Sequence, residues 1–312
     1  MPPLIISLRR KSLIPSKNSH RPFRLYEKLP PSWDYDLHIH TNWSQDNIDG
    51  PYAKDWLQFG KRYKICLGFT DHFEIGNIDP RYQRNQAKNS WKLSFETIDS
   101  YLEEFDELRN EKIPFVLGLE VSYHPDYTDS LWEFLDSYYS QFDYIVGSIH
   151  ELALHQAVTV KETIFNLQRN QPQMEEWVDL YFNRVKEMIK VRRFDVIAHP
   201  DVIFRFLSYD SLPLNVKSQY REKILELGWL CDKYKTFLEI NLSGYRSPWQ
   251  DSFPKDNVVT QLLMEEIPMV VGSDSHQLSD FLFHLPTIRR LNHLLSKNWK
   301  FTYKFDPSIF SG

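Results

Sequence analysis

Cysteine is almost absent from this chain: Cys66 and Cys231 are the two among 312 residues, which excludes a disulfide framework. Cys66 lies in the apolar run Ile65–Phe69, where a packed, reduced thiol is expected, and a reducing, cytoplasmic setting fits. Long apolar runs are also missing, and none approaches the roughly 20 residues that a membrane-spanning helix needs. The opening Leu4–Leu8 stretch is short, and its basic residues Arg9, Arg10 and Lys11 follow it, the reverse of a secretory signal. Positive charge is not in excess: 37 Lys and Arg stand against 42 Asp and Glu, a formal net charge of −5. That balance offers no general attraction to long nucleic acid or an anionic membrane. Residues 1–26 contain no acid, carry Lys17, Arg21 and Arg24, and are interrupted by Pro2, Pro3, Pro15 and Pro22. We expect a basic extension over residues 1–30 that does not form an amphipathic helix, ahead of one domain over 31–312.

What the chain does have is a core and a series. Hydrophobic residues make up 42%, with 21 Phe, 17 Tyr and 9 Trp, enough for a large barrel. Seven short apolar runs each end in His, Asp or Glu. They are Asp36-Leu37-His38-Ile39-His40, Gly68-Phe69-Thr70-Asp71-His72, Gly118-Leu119-Glu120 and Gly147-Ser148-Ile149-His150. Then follow Ala198-His199-Pro200-Asp201, Glu239-Ile240-Asn241 and Gly272-Ser273-Asp274-Ser275-His276. Six of the 11 histidines sit in these runs. Alternation along a strand turns residues i and i+2 to one face, so His38 and His40 can grip one ion. Imidazole nitrogens and carboxylate oxygens are ligands that zinc, iron and manganese accept. One such ending is usually a hydrogen-bonded core residue, but burying seven polar groups without a cation would be costly.

Between these endings lie segments of helical spacing. Trp177, Tyr181, Val185 and Met188 recur every three or four residues from about Met174 to Arg192, and Phe95–Leu108 repeats the pattern. Leu131–Tyr139, Lys223–Tyr234 and Val258–Glu266 are shorter examples, and Pro268 marks the break before the strand at Met269. Residues 151–173 read as an insertion near the barrel mouth. Strand and helix thus alternate, which predicts parallel strands with crossover helices. The fold class expected is α/β, a distorted (β/α)7 barrel with a metal site at the C-terminal ends of the strands.

The D-x-H-x-H, G-F-T-D-H, G-L-E-V, G-S-I-H, A-H-P-D, E-I-N-x-S-G-x-R and G-S-D-S-H motifs together resemble the PHP (polymerase and histidinol phosphatase) superfamily. G-L-E-V, G-S-I-H and E-I-N-x-S-G-x-R are similar to its histidinol-phosphate phosphatase branch. The resemblance runs from Asp36 to His276 and implies three divalent metal ions (Zn, Fe or Mn). One would take His38, His40, Glu120 and Asp274. The second would share Glu120 and add His150 and His199. The third would take Asp46, His72 and His276, with Asp49 as the alternative loop ligand. Glu120, His199 and Asp274 are the expected catalytic set. Arg246 matches the family's phosphate-holding loop position, Arg205 is second, and His124 is a further candidate for substrate contact. Asp71 and Asp201 flank ligands and would orient imidazoles, while Glu239 would have a hydrogen-bonding role.

The function implied is hydrolysis of a small phosphorylated substrate, L-histidinol phosphate, to L-histidinol and phosphate, as in histidine biosynthesis. Water held between two cations loses its proton near neutral pH and attacks phosphorus. A nucleotide or oligonucleotide phosphoesterase of the same superfamily is the alternative. An amidohydrolase would need a metal-bridging lysine at a strand end, and none is there. A non-catalytic module would be expected to have lost ligands, whereas all nine positions are filled.

Overall fold

The computed structural model describes residues 25, 27–74, 93–152 and 156–302. The strands are β1 (Asp34–Ile39), β2 (Ile65–Phe69), β3 (His72–Phe73), β4 (Phe115–Ser122), β5 (Tyr144–Ser148), β6 (Val196–Ile197), β7 (Phe237–Asn241) and β8 (Met269–Gly272). All pair in parallel in the order β1-β2-β4-β5-β6-β7-β8, with β3 beside β4. β2 pairs with the first half of β4 and β3 with the second, so Thr70 and Asp71 interrupt what is one barrel position. The sheet's two edges meet where His40 N–H donates to Ser275 O at 3.0 Å and Asp274 N–H to His38 O at 2.8 Å. The expected seven-stranded barrel is therefore what forms.

Buried on both faces, these strands read as unbroken apolar runs rather than alternating ones. Val116, Tyr144, Val146, Val196, Phe237 and Val270 form one apolar cluster with Leu37, while residues of opposite parity pack with the helices in a second. The first cluster is the barrel floor. Two or four residues further along β4 and β7, on the same face, stand Glu120 and Glu239, and Asp274 follows the end of β8. Apolar floor and polar rim are thus one alternation, continued to the strand ends. Leu25, inside the expected extension, is buried in the floor cluster. Residues 1–24 and 26 of that extension, with His20, lie outside the described residues, as does His155.

Among the described residues, eight helical segments cover the strands: α1 (Ala53–Tyr63), α2 (Ile98–Leu108), α3 (Thr128–Tyr138), α4 (Lys161–Gln168), α5 (Gln171–Lys190), α6 (Leu214–Tyr234), α7 (Asp256–Met264) and α8 (Leu278–Thr302). Five of these were visible as periodic segments, although α6 begins nine residues before the expected Lys223. The supposed insertion over 151–173 contains α4 and the start of α5, whose Asn170 side chain accepts from Gln173 N. α1 was overlooked although Ala53, Trp56, Leu57 and Gly60 make one buried face, closed by Lys64 in the left-handed conformation. α8 carries Pro286 and was also overlooked.

Candidate metal centre

Glu120 stands at the middle of the rim, fully enclosed. Its Oε2 lies 2.8 Å from His72 Nδ1, 3.3 Å from His38 Nε2 and 3.6 Å from His40 Nε2. Its Oε1 lies 2.8 Å from His199 Nε2 and 3.2 Å from His150 Nε2. Asp274 Oδ1 sits 3.3 Å from His40 Nε2 and 3.9 Å from His38 Nε2. Asp46, in a short 3-10 turn after β1, reaches His276 Nε2 at 3.2 Å and His72 Nε2 at 3.5 Å through Oδ2. All nine residues expected to bind metal are therefore together. Asp46, not Asp49, faces the imidazoles.

Hydrogen bonds on the outer side of the rings explain why they converge. His38 Nδ1 donates to Glu239 Oε1 at 2.7 Å, and Glu239 Oε2 also accepts from His199 N–H at 2.7 Å. His40 Nδ1 donates to Ser44 Oγ at 2.9 Å, and Ser44 Oγ donates to Asp71 Oδ1 at 2.8 Å. His150 Nδ1 donates to Glu74 Oε1 at 2.7 Å, and His276 Nδ1 to Asp274 O at 3.0 Å. Each bond fixes the tautomer and turns the Nε2 lone pair inward, the arrangement metal-binding imidazoles need. Gly272 makes the first of these possible: a Cβ there would collide with Glu239 Oε1 and lie 2.5 Å from His38 Cβ.

Backbone strain gathers at the same place. His199 has φ 23° and Asp274 φ 54°, values that L-residues rarely adopt. Both follow strand ends, and the left-handed turn redirects the chain so that the side chain stays in the rim.

Charge is strongly coupled here. Burial opposes ionisation of Glu120, yet His72, His38 and His150 hold its carboxyl well below the usual range. Burial likewise opposes ionisation of Asp274, and the imidazoles gathered round it, His40, His38 and His276, outweigh it. Burial works against protonation of His150, but Glu74 and Glu120 lift it to about 10. His40 moves the other way, pushed well down by burial, His276 and His72. Glu120 Oε2, His276 Nε2 and His72 Nδ1 are buried without a hydrogen-bond partner among the described residues. Nitrogen and oxygen donors left in this state within a few ångströms are a fit for divalent cations.

Beside the rim opens a cleft of about 370 Å³, lined by Arg205, Arg246, Asp274, His276, Asp280 and His284 among others. Arg246 comes from the turn after β7 and is ion-paired with Asp280. His124 does not reach this cleft. It caps the turn Pro125–Tyr127, accepting from Asp126 N–H through Nδ1 at 3.3 Å, and is buried against Tyr127. Asp201, flanking His199, accepts instead from Tyr220 OH at 2.6 Å. Glu74 was missed in the sequence, although it stands two residues after His72 and alternation alone puts it on the same face.

The fold and its rim define a parallel β/α barrel whose clustered imidazoles and carboxylates could hold metal ions. The chain belongs to the PHP domain family, whose model matches residues 36–243. Arg246, Asp274 and His276 lie beyond the matched stretch. A probable histidinol-phosphatase of Deinococcus radiodurans is 26% identical over 247 residues, 78% of this chain and 86% of that protein. The histidinol-phosphatase of Bacillus subtilis is 23% identical over 263 residues, 78% of this chain and 94% of that protein. Among solved structures, a Listeria monocytogenes protein assigned to the histidinol phosphatases superposes with a TM-score of 0.70 at 19% identity, covering 81% of this chain and 99% of that one. The histidinol phosphate phosphatase of Lactococcus lactis, solved with Zn, L-histidinol and phosphate, gives a TM-score of 0.58 at 18% identity over 85% of this chain and 93% of that one.

Proposed function

We propose that this chain is a metal-dependent phosphomonoesterase that hydrolyses L-histidinol phosphate to L-histidinol and phosphate, in the cytoplasm, as a step of histidine biosynthesis. The observation that carries the reading is Glu120, one carboxylate with five imidazoles within 3.6 Å, beside a cleft that presents two arginines. The kinship with proteins named histidinol-phosphatase, over most of both chains, supports it. No described helix is long and apolar enough to cross a membrane.

Three divalent ions, drawn from Zn, Fe and Mn, would be held as the ligand sets suggest. His38, His40, Glu120 and Asp274 hold one, Glu120, His150 and His199 a second, and Asp46, His72 and His276 a third. When bound, such ions lower the pKa of water and offset charge on phosphoryl oxygens. Arg246 and Arg205 clamp the non-bridging oxygens of the phosphate, for which the planar guanidinium fork is suited. Asp274 belongs to both cluster and cleft, so its carboxylate stands between the candidate metal positions and the phosphate site, where it orients the attacking water. Glu120 and His199 fix the cluster's centre through their 2.8 Å contact.

The test is a panel of phosphate monoesters with purified, metal-analysed protein. Histidinol phosphate should give the highest kcat/KM. Preference for nucleotides would replace the substrate and keep the phosphatase, and hydrolysis of amides without phosphatase activity would overturn the reading.

A further inference from the structure

The two arginines account for a phosphate but not for the organic part of a substrate. Among the described residues, the cleft's carboxylates are Asp274, which belongs to the cluster, and Asp280, which does not. Asp280 lies in the first turn of α8, where the helix N-terminus favours a negative charge. Its side chain is 17% exposed, and it is engaged by Arg246 and by Ser279 Oγ at 3.4 Å. One helical turn on, at i+4 and therefore on the same face, His284 closes the cleft wall. Burial and the nearby Arg246 lower the His284 pKa to about 4, so it stays uncharged and does not compete for Asp280.

Arg246 and Asp280 thus occupy each other. A phosphate that takes the guanidinium fork competes with the carboxylate for Nη1, and a carboxylate that loses that partner needs a new cation in a largely buried site. Resting on the phosphomonoesterase reading, we propose that Asp280 is the specificity residue for substrates that carry a protonated amine near the phosphate. Binding is a partner exchange: the phosphate takes Arg246, and the ammonium takes Asp280. In an amino-alcohol phosphate the amine stands two carbons from the ester oxygen. Its charge then lies only a few ångströms from the phosphate, as the charges of two groups in one ion pair do.

The experiment compares L-histidinol phosphate with its analogue lacking the amine, in wild type, Asp280→Asn and Asp280→Glu. Asp280→Asn should lower kcat/KM for the amine-bearing ester about tenfold to hundredfold, mainly through KM, as for a lost charge-assisted hydrogen bond. For the amine-free ester it should raise kcat/KM about twofold to fivefold, because Arg246 no longer has to leave an ion pair. Asp280→Glu should retain part of the amine preference and shows that any loss is not a failure to fold. Calorimetry of L-histidinol alone should show weaker binding to Asp280→Asn. Equal losses on both esters would mean that Asp280 only positions Arg246, and no change on either would remove it from the site; both overturn the proposal. Should wild type reject histidinol phosphate itself, the pair becomes phosphoethanolamine and ethyl phosphate. An amine preference abolished by Asp280→Asn upholds the proposal even then, and no preference in wild type refutes it.

Discussion

Glu239 accepts the Nδ1 proton of His38 through one oxygen at 2.7 Å and the backbone N–H of His199 through the other at 2.7 Å. One buried carboxylate therefore orients two candidate ligands from opposite sides of the barrel. Glu239→Ala should weaken metal binding about tenfold to hundredfold, as loss of an orienting partner does. Glu239→Gln, which keeps an acceptor but not the charge, should do less harm. Metal titration of the apo-protein measures both, and unchanged affinity in the alanine variant would contradict the role.

Glu120→Gln should be among the most damaging single changes, since it weakens the two sites that this carboxylate would share. Metal content should fall together with turnover. A variant with near-normal kcat would show that Glu120 does not bridge.

Arg246→Ala should lower kcat/KM for every phosphate monoester by about tenfold to hundredfold, the worth of a charge-assisted hydrogen bond. Metal content should be intact. Arg246→Lys should recover part, because an ammonium cannot make two parallel bonds. Steady-state kinetics on histidinol phosphate and an aryl phosphate decide it, and unchanged values would remove Arg246 from the site.

Gly272→Ala should destabilise the fold by about 1–3 kcal/mol, the usual cost of overpacking, because the added methyl drives Glu239 from His38. Thermal unfolding of the apo-protein reads this directly. An unchanged midpoint would show that the strand shifts without strain.

Both thiols should resist alkylation in the native state. Cys66 is fully buried and, through burial and the nearby Asp143, pushed up to about 12, and burial raises Cys231 as well. At pH 8 the thiolate is therefore scarce. Labelling with a thiol reagent should be slow until denaturant is added, and fast native labelling of either would contradict the packing.

The rim was legible because its residues close short apolar runs: His38, His72, Glu120, His150, His199 and Asp274 all stand near strand ends, and alternation adds that His38 and His40 share a face. Glu239 and Asp71 were recognised as supports, but Ser44, which links Asp71 to His40, gives no signal in the sequence. His124, a candidate for substrate contact, stands past the end of β4 and caps the turn Pro125–Tyr127, a conformation that no periodicity in the sequence announces. The choice between Asp46 and Asp49 depended on the path of a loop, and the Arg246–Asp280 pair joins residues from a strand-end turn and α8. Neither has a period from which it could be read. Five helices were read from their apolar faces, α6 without its first turns, whereas α1, α4 and α8 were not read as helices.

The measurement that bears most directly on the account is metal content per chain after metal-replete purification, taken alongside histidinol phosphate turnover. The ligand sets predict three ions per chain, with turnover lost on chelation and restored as the ions are returned. No more than one tightly bound ion, or turnover that survives complete removal of metal, would contradict it.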